Sequence, residues 1–157
     1  MYLINQAVAQ PDFTLAKIPV RLDRQKLAKR LWRAVAEDGV EIGCELERPL
    51  QPGDTVYQTA QARYVVTQEP EAVLEITLAI APSAAAAIGW AIGNLHLELM
   101  SEPERLLALD DKAVRRLLER LGVPFRETLA VFRPGRFARG DNSKKDQVDE
   151  LGASHKH

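Results

Sequence analysis

A chain of 157 residues, 46 % hydrophobic and 27 % charged, suits one ordinary domain or two small ones with a soluble surface. Its 21 basic and 22 acidic residues leave a net charge of -1, which argues against nucleic-acid binding as the overall task, because neutralising phosphates takes a basic surplus. One cysteine, Cys44, excludes an internal disulfide framework and a cysteine-based zinc module.

In chain order, residues 1–69 read as a β-rich domain. Asp38-Gly39 sits between two apolar runs, where glycine suits the positive φ of a hairpin turn. Pro52-Gly53-Asp54 is a second turn, followed by the strand-like Thr55-Val56-Tyr57 and by the β-branched run Arg63–Thr67. Lys26–Glu37 has helical spacing in Leu27, Leu31, Ala34 and Val35, yet it also suits a hairpin arm against Val40–Leu46. Gln68-Glu69-Pro70-Glu71 reads as a linker.

The second domain, residues 70–135, is more regular. Ala72–Ala81 alternates, with Leu74, Ile76, Leu78 and Ile80 on one face of a strand. Pro82-Ser83 opens an Ala-rich helix that Ser83 is placed to cap and Gly93 to stop. Leu95–Met100 alternates again, and a further strand follows the Ser101-Glu102-Pro103 turn over Glu104–Leu109. Asp110 caps a helix whose Val114, Leu117, Leu118 and Leu121 share one face, ended by Gly122 and Pro124. Phe125–Phe132 is the last strand. This βαββαβ order predicts an α+β chain whose second domain is ferredoxin-like, with helices on one sheet face. The open face then meets water, the first domain or another subunit. Residues 136–157, rich in Gly, Ser, Asn, Lys and Asp, read as a disordered tail.

Catalytic signatures are missing: there is no glycine-rich phosphate loop, nucleophile elbow or paired-histidine zinc helix, so an enzyme is not expected. No stretch reaches the ~18–20 uninterrupted apolar residues that span a bilayer. Met1–Gln6 lacks the basic start of a secretory signal, which predicts a cytoplasmic protein without membrane partners. His96 is the sole histidine outside the tail. Alternation places it with Glu98 and Met100 on the open sheet face, either as a surface imidazole with one hydrogen bond or as a metal ligand. One imidazole per chain is too poor a site for tight binding, but two-fold pairing of open faces would bring two copies together. His155 and His157, at i and i+2 near the end of the tail, are further nitrogen donors, and imidazole suits nickel, copper and zinc alike. Cys44 reads as a small core residue. Lys26–Arg33 reads as a solvated or partner-facing stretch ahead of a membrane-binding one, and the basic patch Arg133–Gly140 as a solvated linker ahead of an RNA or acidic-partner contact.

Trp90-Ala91-Ile92-Gly93-Asn94-Leu95-His96 resembles the hallmark of the UreE proteins, the urease accessory nickel chaperone family, whose motif Gly-Asn-Arg-His-x-Pro is matched at Gly93, Asn94 and His96. The turns of the front half, the element order of the back half and the histidine-bearing tail extend the resemblance over nearly the whole chain. It implies a cytoplasmic homodimer with an N-terminal peptide-binding-type domain and a ferredoxin-like metal-binding domain. It implies Ni(II) at the dimer interface, bound by His96 of each subunit and completed or fed by His155 and His157, with Zn(II) or Cu(II) as in vitro competitors. The metal then passes to urease through a complex of the urease accessory GTPase and the urease apoprotein. Leu95 and Glu98 depart from the Arg and Pro common in the family. Glu98 is either an oxygen donor near His96 or a solvated side chain. Leu109-Asp110-Asp111-Lys112 lacks the extra histidines that some relatives carry. Two other readings stay open: an interaction scaffold with incidental histidines, and a nucleic-acid-binding sheet. The second is disfavoured because no aromatic is expected on the open face.

Overall fold

The computed structural model describes residues 1–137 and 149–150, and the chain divides into two units, Met1–Glu69 and Pro70–His157. The first is built from strands β1 (Tyr2–Ile4), β2 (Ala16–Leu22), β3 (Leu31–Val35), β4 (Glu41–Glu45), β5 (Thr55–Gln58) and β6 (Ala62–Gln68), with a four-residue helical turn α1 (Arg24–Leu27) after β2. They form two three-stranded sheets, β1-β4-β3 and β2-β6-β5. Period-two alternation sends Trp32, Ile42 and Cys44 from one sheet and Val20, Leu22, Tyr64 and Val66 from the other into a shared core. The ambiguous stretch 26–37 divides. Asp23 caps α1 by accepting from the Lys26 N–H at 2.6 Å, and β3 then pairs antiparallel with β4. A continued helix would bury Leu31 and Val35; they are exposed, and Trp32 between them is buried. Gly39, at φ +88°, makes the hairpin turn where Asp38-Gly39 predicted one.

The second unit comprises β7 (Glu71–Thr77), α2 (Pro82–Gly93), β8 (Leu99–Ser101), β9 (Arg105–Leu109), α3 (Lys112–Leu121), β10 (Arg126–Ala130), β11 (Arg136–Phe137) and β12 (Asp149–Glu150). The sheet order is β10-β7-β9-β8-β11-β12, antiparallel throughout except that β11 runs parallel to β8. On one face, Leu74, Ile76, Leu106 and Ala108 pack beneath Ile88 and Ile92 of α2 and Val114, Leu117 and Leu118 of α3. The chain is therefore α+β, with mixed sheets and few helices.

Several expectations are corrected. The linker shrinks to Glu69-Pro70, because Gln68 is buried at the end of β6 and Glu71 pairs with Ala130. The strand expected over 72–81 stops at Thr77: the Leu78 N–H still donates to Glu104 O at 2.8 Å, and beyond it the partner strand turns away at Pro103. Ser83 makes no cap hydrogen bond. Pro82 takes the first helical turn, where its missing N–H costs nothing, and Ala81 is the N-cap. In α3 the cap is Asp111, accepting from the Ala113 N–H at 2.7 Å, while Asp110 holds Arg115. The open sheet face is not left wholly to water or a partner. Phe132, past the end of β10, is fully buried against Val73 and Leu107. Arg136–Phe137 and Asp149–Glu150, expected within a disordered tail, are paired strands beyond β8, the second at the sheet edge; the rest of that stretch lies outside the described residues.

Candidate metal centre

The surroundings of His96 begin with how α2 ends. Asn94 is a right-handed C-cap, the Leu95 N–H donates to Ile92 O at 3.1 Å, and the His96 N–H to Gly93 O at 2.9 Å. These tight bonds close the helix and put His96 at φ +57°, the one left-handed non-glycine among the described residues. The strand expected over Leu95–Met100 is cut to β8 for this reason, since the turn consumes residues 94–96. Alternation survives in β8 itself, with Leu99 packed towards the helices and Met100 towards Phe132. It does not orient His96, which is set by the turn and stands exposed.

Leading to that turn, α2 shows a feature that the sequence reading missed. Its inward seam is Ile88 and Ile92. Ser83, Ala86, Ala87, Trp90 and Gly93, at helical spacing on the other side, are all exposed, and Trp90 is 72 % exposed. The signal was present as a helix with no charged residue in twelve, for an amphipathic surface helix keeps a polar side for water.

Glu98 lines a pocket of about 240 Å³ with Asp110, Asp111 and the apolar Leu97, Leu109 and Val114. Its aspartates have structural duties. Both Asp110 oxygens accept from Arg115, at 2.6 and 2.7 Å, and that contact lowers the carboxyl below its ordinary 3.8. Asp111 holds the first turn of α3. Cys44 lies in the other unit's core, where burial pushes its thiol up to about 12, so it is a packing residue. Among the described residues no three His, Cys, Asp or Glu side chains gather to hold a metal ion. Among the described residues His96 is therefore a single exposed imidazole donor, and His155 and His157 lie outside them. No helix among those residues is long and apolar enough to cross a membrane.

Residues 71–157 match the family model of the UreE urease accessory protein, C-terminal domain. The chain is 30 % identical over 120 residues to the urease accessory protein UreE of Geobacillus kaustophilus (strain HTA426), covering 72 % of this chain and 80 % of that protein. With the protein of the same name from Staphylococcus aureus (strain MRSA252) it shares 33 % identity over 111 residues, covering 68 % and 71 %. With that of Lysinibacillus sphaericus (strain C3-41) the identity is 26 % over 119 residues, covering 73 % and 78 %.

Proposed function

The chain belongs to the UreE family of urease accessory proteins, and from that premise we propose that it is a nickel-binding metallochaperone delivering Ni(II) for assembly of the urease active site. In this reading nickel is cargo, held where two subunits meet by His96 of each. His155 and His157 are additional donors that complete the site or feed it. The carrying observation is the continuity of the exposed apolar stripe of α2 with the exposed His96 turn. An isologous interface over Trp90 and its alanine neighbours covers apolar surface that water would otherwise meet, and it pairs the two imidazoles across the two-fold axis.

The second unit is read as ferredoxin-like; the antiparallel order β10-β7-β9-β8 with both longer helices on one face supports that. Its partners are a second copy, the urease accessory GTPase and the urease apoprotein complex, in the cytoplasm. The protein binds and releases a metal and catalyses no reaction. Few nitrogen donors, some carried on the tail, suit a carrier that must let go: tail histidines detach singly while the central pair holds. Zn(II) and Cu(II) compete in vitro, because imidazole alone does not select among these ions.

Calorimetric nickel titration with the oligomer mass recorded tests the reading on the wild type, on His96→Ala and on a chain ending at Ala153. About one tight nickel per dimer is expected, abolished by His96→Ala and weakened by truncation. Tight binding that survives His96→Ala would move the site elsewhere. No binding in any form would leave an interaction scaffold. Imidazole binds metal only when unprotonated, so affinity falls between about pH 8 and about pH 5.5, and a flat profile would speak against histidine ligation.

A further inference from the structure

In the sheet β1-β4-β3, the side chains that do not enter the core of the first unit stand on the outer face. Leu3 of β1, Leu31 and Val35 of β3 and the preceding Met1 are 58–72 % exposed there. They are not scattered. Leu3 and Arg33 pair with Gly43 from either side, and a Cβ on Gly43 would lie 3.6 Å from Leu3 Cδ1 and 3.9 Å from both Arg33 Cγ and Met1 Sδ. Gly43 does not have a positive φ, so its backbone does not call for glycine. Its missing side chain lets Leu3, Met1 and the stem of Arg33 close over β4, which joins β1 to β3 in one continuous apolar surface. Glu41 and Glu45 stand exposed at the two ends, opposite Val35 and Leu31. Among the described residues neither takes part in an ion pair.

We propose that this face docks an amphipathic helix of a partner protein, apolar along its contact stripe and carrying two cations about two turns apart. A sheet that is apolar on both faces lacks one covering layer. A helix is about 10 Å across, and the two strand spacings from β1 to β3 come to about 10 Å. Glu41 and Glu45, four residues apart on β4, lie about 13 Å from each other. Lysines seven positions apart on one side of a helix lie about 10.5 Å apart, and their long side chains reach outward to both carboxylates. Leucines three and four positions after the first lysine fall between them, one towards each flank of the sheet. A second copy of this chain fits worse. Stacked face to face with the two-fold axis along β4, each carboxylate meets its own copy; with the axis across β4, Arg33 does. An anionic lipid surface is repelled by the same two carboxylates.

Amide shifts of the metal-free, full-length protein test this against a synthetic helical peptide of about 18 residues, alanine-based, with that lysine and leucine spacing. A matched peptide carries glutamate in place of each lysine. The lysine peptide is expected to move the signals of Leu3, Leu31, Arg33 and Gly43 and to bind at least about tenfold tighter than its acidic match. Glu41→Lys with Glu45→Lys should reverse that preference. Leu3→Ser with Leu31→Ser should weaken binding about tenfold or more, and because both residues are exposed the urea midpoint should hold. Equal affinity for the two peptides, shifts centred elsewhere, or no binding of either would overturn the proposal. So would shifts of these same amides that follow protein dilution, which would mark a second copy, or that need anionic phosphatidylserine vesicles, which would mark a membrane. No nickel enters the experiment, so its outcome is independent of the calorimetric titration.

Discussion

At the scale of single residues, His96 sits in a backbone region that favours glycine, and an L side chain there costs about 1–2 kcal/mol. The fold alone would be better served by another residue. His96→Gly is therefore expected to equal or exceed His96→Ala in urea-unfolding stability, by up to about 1 kcal/mol, since Ala keeps the strain without a ligand's justification. Both substitutions lose nickel under the proposed function, which separates the demands of the ligand from those of the fold. Cys44 gives the opposite case, a residue explained wholly by packing. Its thiol is buried and pushed up to about 12, so native protein should be inert to an aromatic disulfide reagent at pH 8 and react once unfolded. Rapid native labelling would contradict that burial.

Among the elements, α3 and α2 begin by different means, and substitution separates them. Asp111→Ala removes an observed cap bond and should cost about 1 kcal/mol. Ser83→Ala removes none and should stay within about 0.5 kcal/mol in the same denaturation measurement. Neighbouring strands are joined by Glu75, which accepts from Arg105 at 2.7 Å and Arg126 at 2.6 Å; the Arg105 hydrogen bond leads in holding its carboxyl below the ordinary 4.5. A lowered folded value means that this contribution is complete above the ordinary value and is lost as pH falls through the folded one. Glu75→Gln should accordingly flatten the fall in Tm below roughly pH 5; an unchanged acid limb would show the contacts to be neutral. The alternation of Leu74 and Ile76 and the helical spacing of Val114, Leu117 and Leu118 were legible in the sequence because each depends on local period. The ends of β7 and β8 were not. They depend on where a partner strand turns away and on a tight turn at residues 94–96, neither of which leaves a periodic mark. The cap of α3 was misplaced by one residue, on Asp110, because the sequence does not show that Arg115 holds Asp110 and leaves the cap to Asp111.

Across the whole molecule, each unit has its own core, one around Ile42 and the other around Leu74 and Leu118. Ile42→Ala should cost about 2–5 kcal/mol in the first unit while leaving nickel stoichiometry unchanged. Lost stoichiometry in a still-folded variant would tie the metal to the first unit. The candidate site was legible as His96 within Gly93-Asn94-Leu95-His96. Its left-handed backbone and the apolar exposure of α2 emerge only when the turn and helix are built. The second of these has a spectroscopic consequence. The chain's two tryptophans fall one in each unit, Trp32 5 % exposed and Trp90 72 % exposed. The buried indole should emit at shorter wavelength and resist aqueous quenchers, whereas Trp90 should emit further to the red and be quenched readily. A Trp32→Phe variant would leave emission from the second unit alone, and a Trp90→Phe variant emission from the first. One chain thus carries two separable optical probes, and the colour of Trp90 as the protein is diluted would report whether its helix face is covered.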